Sequence, residues 1–457
     1  MKAQKQLLEF GPWEPDNVLL RGVQAPEARN VVPAKRGYRS FPGFSRFSYP
    51  PLPGGRCLAA YTVKDVNGDL LTLAASSDGG IYALQGESWV SKLNEETVSQ
   101  NRSFVQWGQA MYLLHGTTLR KSDISGTFSK FSEVSGAPAA RCMGVVKEFL
   151  VLGDLSDNRR RIRWSAMDDP DAWPEPGTDD AAARQSDYQH FPEGGHVMAI
   201  QGAVGSVDGI VFLERSVQRM AYVGAPYIFN FKQIDAVHGL LAPKSPVNFG
   251  GGCIYLTSDG WYYTDGNATK PVGIERVDNW FFAEAELTRT DDIVGWHDPG
   301  RRICLWAFPS KLAGDRVLDR LLVYSYALDR WSYCKTSVQT IFGDFARGET
   351  LDALDKYGPL DSLSFKSLDI PDFMTGSALL AAFDEDGYMG TFSGRPLEAI
   401  IETQEIGGER MMVHGLRPLV DRGDARACPI YRVRQSQQPK YGPLREQSRD
   451  GVCYQHL

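Results

Sequence analysis

The chain has 457 residues, which is enough for two or three folding units with a sizeable core. Its hydrophobic content of 42% and charged content of 23% are ordinary for a globular protein. The net charge of −7 disfavours a protein that wraps DNA and reads its base sequence, although it allows brief contact with DNA in a channel. Seven cysteines are scattered without a C-x-x-C pair or a zinc-binding spacing, which favours a reducing compartment. No apolar run approaches the roughly 18 residues of a membrane-spanning helix, and no apolar signal segment follows Met1.

Residues 1–56 are rich in proline and carry nine basic residues against four acidic ones. Proline breaks helices and central strands, so this segment is predicted to be extended. Two interpretations stand side by side: an arm that docks on another protein, or a lead-in that lies on its own domain. In the first interpretation the interface residues are Arg29, Lys35, Arg36 and Arg39.

One short motif recurs from residue 57 onward: an Asp-Gly turn followed by alternating aromatic and aliphatic residues. It is found at 77–84, at 258–263 and at 385–392. Asp-Gly between apolar runs is a strong signal for a β-hairpin, because glycine accepts a positive φ without steric cost. Hairpins repeated along one chain indicate radial repetition, as in a β-propeller.

Short strand patterns fill the region 57–403 and suggest paired strands in units of roughly 35–50 residues. The predicted strands are 57–63, 70–75, 103–107, 110–115, 144–153, 161–165, 209–214, 218–223, 252–257, 260–264, 293–297, 302–309 and 321–328. The best helix candidate is 279–288. The fold class is therefore predicted as all-β: a propeller of six or seven blades over 57–403, with the N-terminal arm and a small β-rich C-terminal platform region at 404–457.

Residues 346–376 interrupt the strand pattern with four Leu-Asp dipeptides and are predicted to form an acidic loop insertion. A loop of this length is usually functional, and exposed leucines on it favour a contact site. The interface candidates here are Leu351, Asp352, Leu354, Asp355, Leu360, Asp361, Leu368 and Asp369.

The chain is basic at both ends and acidic between them, since 404–457 also carries more basic than acidic residues. In an oligomer this asymmetry favours head-to-tail docking of complementary faces.

No catalytic, cofactor or metal site is predicted. Asp168, Asp169 and Asp171 form a carboxylate cluster, but Asp169-Pro170 is a turn signature, so their expected role is to begin that turn. His190, Glu193 and His196 share a loop whose spacing matches no standard metal site. Glycine-rich nucleotide loops and the G-x-S-x-G nucleophile motif do not occur in the required context.

Several segments in order resemble the tail nozzle or tail hub proteins of short-tailed bacteriophages, also called packaged-DNA-stabilising proteins. The segments that carry the resemblance are Pro26–Pro33 with Gly37-Tyr38-Arg39 and Phe41–Phe44, Arg161–Ser165 with Asp169-Pro170 and Trp173, the acidic run from Leu354 to Asp369, and His414–Asp421. The resemblance touches most of the chain.

The resemblance implies a structural protein of the virion, made in the host cytoplasm, with no enzymatic activity and no cofactor. It implies a homo-oligomeric ring, expected to be a hexamer, below the tail adaptor, with tail fibres or tailspikes as further partners. The ring would retain packaged double-stranded DNA, form its exit channel and contact it transiently and non-specifically.

Two alternatives remain open at this point. One is a propeller-based virion protein that binds or hydrolyses a receptor glycan, which would need paired acids or an arginine cluster in a cleft. The other is a general propeller scaffold in a bacterium. Neighbouring genes for an adaptor, a portal and a terminase would distinguish these classes.

Overall fold

The computed structural model describes residues 8–17, 24–64, 68, 70–95, 101–124, 128–345, 378–403, 415–420, 425–431, 438–447 and 453–454. The chain divides into two compact units, residues 1–404 and residues 405–457. Strands dominate both units, and the helices among the described residues are short. The all-β prediction is confirmed.

The first unit begins with four short strands and continues with five separate four-stranded antiparallel sheets, numbered here as blades 1 to 5. The leading strands are β1 (Glu27–Arg29), β2 (Val31–Ala34), β3 (Gly37–Ser40) and β4 (Ser45–Arg46). Blade 1 contains β5 (Cys57–Lys64), β6 (Leu70–Ser76), β7 (Gly80–Gln85) and β8 (Ser88–Asn94). Blade 2 contains β9 (Arg102–Trp107), β10 (Ala110–His115), β11 (Thr118–Asp123) and β12 (Ser132–Glu133). Blade 3 contains β13 (Cys142–Val146), β14 (Phe149–Gly153), β15 (Arg161–Trp164) and β16 (Tyr188–His190), with helix α1 (Asp179–Ala183) before β16. Blade 4 contains β17 (Val197–Val204), β18 (Val207–Leu213), β19 (Val217–Gly224) and β20 (Ile228–Asp235). Blade 5 contains β21 (Val247–Asn248), β22 (Cys253–Thr257), β23 (Gly260–Thr264) and β24 (Thr269–Pro271).

A nine-stranded sheet supplies two further blades. Helix α2 (Asp278–Glu284) and a 3-10 helix (Leu287–Asp292) lead into it. Its strands are β25 (Val294–Asp298), β26 (Ile303–Phe308), β27 (Leu318–Ser325), β28 (Arg330–Phe345), β29 (Ala378–Asp384), β30 (Met389–Thr391), β31 (Ile400–Glu402) and the leading strands β1 and β4. Strand β28 is shared, because its first half pairs with β27 and its second half pairs with β29. Blade 6 is therefore β25, β26, β27 and the first half of β28, and blade 7 is the second half of β28, β29, β30 and β4.

The blades close into a ring. The first strands contact one another between blades 1 and 2, 2 and 3, 3 and 4, and 5 and 6, and strand β28 also contacts β25 in blade 6 and β5 in blade 1. Blades 4 and 5 are joined where the Asn248 side chain donates to the carbonyl oxygen of Gly202 at 2.9 Å. A closed ring of four-stranded sheets is a β-propeller, here with seven blades in the described residues. Closure is completed by β4, because its pairing with β30 covers the open edge of blade 7.

The three Asp-Gly motifs all form the predicted turns, and all three occupy the same place in a blade. They join the second strand to the third in blades 1, 5 and 7. In blade 1, Gly79 has a φ of +95°, and Asp78 Oδ1 accepts from the amide of Gly80 at 2.8 Å. In blade 7, Asp384 accepts from the amides of Asp386 and Tyr388. The motif therefore marks one recurrent turn of the propeller.

Two sequence predictions of secondary structure were wrong in detail. The single strand predicted over 144–153 is the hairpin β13–β14, which turns at Lys147 and Glu148. Lys147 has a φ of +52°, so the backbone reverses there without a glycine to signal it. The helix predicted over 279–288 ends at Glu284, and a 3-10 helix follows it.

Apolar clusters fill the space between adjacent blades. One cluster joins Leu114 of blade 2 to Leu150 of blade 3, and another joins Val151 of blade 3 to Val211 of blade 4. The largest cluster holds four buried tryptophans around blades 5 and 6: Trp13, Trp261, Trp306 and Trp331. Burial of this apolar surface stabilises the ring, because each blade covers the face of the next.

The described residues of the second unit contain three short antiparallel strand pairs that are nested in sequence. Strand β32 (Gly415–Leu416) pairs with β37 (Cys453–Tyr454), β33 (Arg426–Ala427) with β36 (Arg445–Glu446), and β34 (Ile430–Tyr431) with β35 (Lys440–Tyr441). Nested pairs of this kind make one two-stranded ribbon, called here the C-terminal ribbon. A two-stranded ribbon alone is marginally stable in water.

Within the described residues, no helix is both long and apolar enough to cross a membrane.

Candidate interaction surfaces

The N-terminal segment 24–47 completes the last two blades. Strand β1 pairs in parallel with the outer part of β28 at Arg29 and Tyr333 and antiparallel with β31. Strand β4 is fixed to blade 7 by ion pairs from Arg46 to Asp384 and to Asp386. Of the two interpretations of 1–56, these pairings within the chain fit the lead-in that lies on its own domain. Each of these strands finds an open sheet edge on its own chain, so its backbone groups are paired there.

Residues 8–17 are held to the same side of the propeller by three different contacts. Trp13 is 1% exposed, and its ring lies 4.8 Å from that of Trp280 and 5.2 Å from that of Tyr333. The Asp16 carboxylate accepts from the amides of Asn279 and Trp280 at 2.6 and 2.8 Å, at the start of α2. Glu14 lies 3.3 Å from the Arg276 guanidinium. This stretch is part of the fold, because its tryptophan belongs to the core.

Asp278 lies beside Asp16 at the start of α2 and is buried. Its carboxylate accepts from the amide of Trp261 at 3.0 Å. Burial raises the pKa of Asp278 to about 6, the hydrogen bond from Trp261 opposes this rise, and the charge of Asp16 adds to it. The folded protein therefore carries an ionised carboxylate at neutral pH in a place that disfavours the charge.

Replacement of Asp278 by Asn is expected to remove the free-energy cost of a buried negative charge. The asparagine side chain keeps an oxygen that can accept from the amide of Trp261. The folded-state pKa of about 6 lies above the unfolded value of about 4, so the folded state binds more protons in this range and stability falls as pH rises through it. The stability of the D278N variant should not decrease in this pH range, so its free energy of unfolding at pH 7 should exceed that of the wild type by about 1–2 kcal/mol. Urea unfolding at pH 4 and pH 7 measures the difference, and a gain independent of pH would contradict the assignment.

Three of the four basic residues predicted as interface share one exposed hairpin. Strands β2 and β3 form this hairpin, residues 31–40, and Lys35, Arg36 and Arg39 are exposed on it. We call it the basic hairpin. None of the three makes an ion pair with another residue in the described part of the chain. Arg29, the fourth, is half-buried and lies 3.8 Å from Glu27. The structure thus groups the three cations and separates Arg29 from them.

The other predicted interface residues lie outside the described residues: Leu351, Asp352, Leu354, Asp355, Leu360, Asp361, Leu368 and Asp369. The segment that contains them connects β28 to β29, the first two strands of blade 7.

A cluster of charged residues that lies before the first strands of blades 1 and 6 was not predicted from the sequence. Arg56 precedes the first strand of blade 1, and Asp292 precedes the first strand of blade 6. The Arg56 guanidinium donates to both carboxylate oxygens of Asp292 at 2.7 and 3.2 Å, and Arg289 donates to the same carboxylate at 2.8 Å. The pair bridges blades 1 and 6 beside blade 7, which lies between them. We call Arg56, Asp292 and Arg289 the channel clasp.

The electrostatics of the channel clasp follow from its partial burial. Burial alone would raise the pKa of Asp292, but hydrogen bonds and charge from Arg56 and Arg289 outweigh it and lower the pKa. Lys244, which precedes the first strand of blade 5, lies in the same charged environment. Burial lowers the pKa of Lys244, and the charges of Asp292 and Asp291 oppose that effect. The arrangement closes the ring rather than exposing a free acid or base.

Two of the three carboxylates considered as catalytic candidates, Asp169 and Asp171, make structural contacts. Asp171 accepts from the hydroxyl of Tyr112 at 2.8 Å and pairs with Lys121. Asp169 accepts from the amide of Asp171 within the turn and lies 3.7 Å from Arg184. The loop histidines are not brought together on one site: His190 contacts Asn158, and His196 contacts Glu214. No group of three or more His, Cys, Asp or Glu side chains in the described residues could hold a metal ion.

The same carboxylates belong to a larger acidic surface. Residues 165–187, which connect β15 to β16 in blade 3, contain seven carboxylates and one arginine. We call this segment the acidic insertion. Its carboxylates are largely exposed, with the side chain of Glu175 at 81% and that of Asp180 at 62%. Counting charge along the sequence in windows of about twenty residues would have found it.

The C-terminal ribbon exposes several large apolar side chains. Their exposed fractions are 72% for Leu419, 49% for Val420, 37% for Ile430, 42% for Tyr431, 73% for Tyr441 and 56% for Leu444. Large apolar residues this dense on a short ribbon are typical of a surface that a partner covers.

No model of a known protein family matches this sequence, and no curated protein is similar to it at a significant level. Solved structures align with most of the chain at low identity. The WD40 domain of Pan2 from Neurospora crassa is 9% identical over 80% of this chain and 96% of that domain, with a TM-score of 0.42. BamB from Moraxella catarrhalis is 10% identical over 77% of this chain and 96% of that protein, with a TM-score of 0.41. The computationally designed Ika8 protein is 8% identical over 74% and 97%, with a TM-score of 0.39. The propeller assignment rests on strand order and ring closure in this chain.

Proposed function

We propose that this protein is a structural component of a bacteriophage virion, the nozzle or hub at the end of a short tail. In this role six copies form a ring below the tail adaptor, retain the packaged genome and form its exit channel. The partners are the adaptor, tail fibres or tailspikes, and double-stranded DNA that passes without sequence-specific contact. The protein is made in the host cytoplasm and resides in the virion.

The observation that carries this proposal is the C-terminal ribbon. It has few strand pairs, and Leu419, Tyr441 and Leu444 are more than half exposed. A ribbon of this kind gains its stability when another surface covers it. This favours a protein that works in an assembly over one that works alone. The order of tail-like segments in the sequence connects the assembly to a phage tail.

A role without catalysis is part of the proposal. Two of the clustered acids of blade 3 contact Tyr112, Lys121 and Arg184, and the contacts of Asp171 connect the acidic insertion to blade 2. A propeller with structural rather than reactive polar clusters suits a platform that other proteins attach to.

The test is electron microscopy of assembled tails together with the copy number of this protein in purified virions. Six copies around a central pore are expected. A single copy for each tail, or absence of the protein from virions, would contradict the proposal.

Substitutions on the ribbon test the surface that carries the proposal. The double variant L419S/Y441S is expected to keep the wild-type melting temperature, because exposed positions change stability by about 0.5 kcal/mol or less. Its incorporation into tails should fall strongly, since the contact loses apolar area. The matched control is V237S/L312S, which changes two side chains exposed at 64% and 89% on the propeller. Equal incorporation of both double variants would remove the ribbon from the interface.

A further inference from the structure

The propeller carries two exposed surfaces of opposite charge. The basic hairpin has three cations and no acid between residues 31 and 40, which gives it a net charge of +3. Its turn presents Lys35 and Arg36, and Arg39 follows on β3. Pairing of β2 with β3, and the buried side chains of Val31 and Phe41, hold the hairpin in place. The cations are therefore presented on a fixed support, which reduces the entropy lost on binding.

The acidic insertion is the complementary surface. Its seven carboxylates face one arginine within the segment, which leaves a net charge of −6. Lys121 and Arg163 reach it from neighbouring strands and pair with Asp171 and Glu175. Even with both of these cations counted, the carboxylates exceed the positive charges by four. This excess is available to a partner.

The two surfaces lie on well-separated blades of one ring. The basic hairpin is attached to blade 6, where the Ser332 hydroxyl donates to the carbonyl oxygen of Val31 at 2.7 Å, and the acidic insertion belongs to blade 3. Two blades separate them in one direction around the ring and three in the other. The hairpin of one chain therefore has no path to its own acidic insertion.

Nucleic acid is the other partner class that a basic hairpin could fit. Only three cations are present, and the whole chain carries a net charge of −7. Binding to DNA depends on neutralising many phosphates, and repulsion from the rest of the chain opposes it. A protein surface of opposite charge exists on every copy of this chain, so the observations favour self-association.

We propose that the basic hairpin of one copy binds the acidic insertion of a second copy, in a head-to-tail contact. Because the two surfaces differ and lie on different sides of the ring, each copy keeps one free surface of each kind and a further copy can add. Contacts of this type generate closed rings or filaments. This contact adds to the proposed function, because it names the surfaces that join neighbouring copies. It rests on the proposed function only in one respect, the closure of the ring at six copies.

The test is sedimentation velocity of the purified full-length protein over a range of concentrations, at about 50 and 500 mM NaCl. The wild type should self-associate, and more weakly at high salt. The charge reversal K35E/R36E should raise the dissociation constant by roughly tenfold or more, and E175K/D179K should do the same. Combining the two reversals should restore part of the affinity, because the exchanged side chains again face opposite charge, although the hairpin then carries a net charge of −1 and the insertion −2. The matched control K130E/R215E, at two exposed cations of blades 2 and 4, should associate like the wild type.

Three outcomes would overturn the contact: a wild type that stays monomeric at every concentration, a K35E/R36E variant that associates like the wild type, or a combined variant that recovers nothing. The contact would also be overturned if the K35E/R36E variant lost binding to a DNA duplex but self-associated like the wild type. That result would assign the hairpin to DNA binding. All variants should melt at the wild-type temperature, which separates a lost contact from a lost fold. Absence of the protein from tails would refute the proposed function, but the sedimentation result on the contact between copies would still hold. Six copies in tails with unaltered association of K35E/R36E would refute only the contact.

Discussion

Replacing Trp13 by Ala is expected to lower the free energy of unfolding by about 3–5 kcal/mol. The Trp13 ring is 1% exposed and packs against Trp280 and Tyr333, so its removal leaves a large cavity in the biggest apolar cluster. The loss should appear as a lower midpoint in urea unfolding followed by tryptophan fluorescence and circular dichroism.

The matched control for Trp13 is Phe10 in the same segment, which is 37% exposed. F10A should cost clearly less than W13A, because more than a third of the Phe10 surface stays exposed in the folded protein and less apolar area is lost. If W13A and F10A unfold at the same urea concentration, residues 8–17 are not part of the core. The same reasoning predicts that removal of residues 1–36 destabilises the propeller, whereas a separate arm could be removed without loss of stability.

Replacing Asp292 by Ala is expected to cost about 2–4 kcal/mol at pH 7. The substitution removes the carboxylate that pairs with both Arg56 and Arg289, whose side chains are 13% and 19% exposed. Two poorly solvated guanidiniums then lose their partner, and the link between blades 1 and 6 is lost. The exposed carboxylate Asp315 is the matched control, and D315A should change stability by less than about 0.5 kcal/mol.

The pH dependence of the channel clasp follows from the lowered pKa of Asp292. The folded-state pKa lies below the unfolded value of about 4, so the contribution of the pair is fully present above pH 5. It is lost as pH falls through the folded-state pKa, because the protonated carboxyl no longer attracts the guanidiniums. The stability difference between wild type and D292A should therefore shrink below pH 4.

A double-mutant cycle tests whether the clasp acts as a pair. R56A in the D292A background should cost much less than R56A in the wild type, with a coupling energy of at least about 1 kcal/mol. Additive losses would show that Arg56 and Asp292 stabilise the ring independently.

The channel clasp and the two charged surfaces use different residues, which matters for tests of the proposed assembly. The clasp acts within one chain, between blades 1 and 6, and its charges are paired. Lys35, Arg36 and Arg39 of the basic hairpin have no such partner among the described residues. Loss of stability and loss of association can therefore be measured with different variants.

Most strands and the Asp-Gly turns could be predicted from the sequence by itself, because their signals are local. Alternating apolar residues favour a strand, and a glycine with a positive φ favours a tight turn, whatever lies elsewhere in the chain. The turns at Asp78-Gly79, Asp259-Gly260 and Asp386-Gly387 were found in this way, and repeated hairpins led to the propeller. The hairpin at Lys147 was not predicted, because the residue with the positive φ is a lysine, which gives no turn signal in the sequence.

Only the tertiary structure decided what happens to the ends of the propeller. Strand β4 is two residues long and has no periodicity, and it becomes a strand because blade 7 offers it an open edge. Arg56 and Asp292 are 236 residues apart, and closure of the ring brings them together. Lys35 and Arg36 could be named as interface candidates from charge, but their support on blade 6 and the position of the acidic insertion on blade 3 could not. The local conformational preference of the residues determines which segments become strands. Segments without a clear hydrophobic pattern bind where the closed ring leaves a sheet edge or an apolar face open.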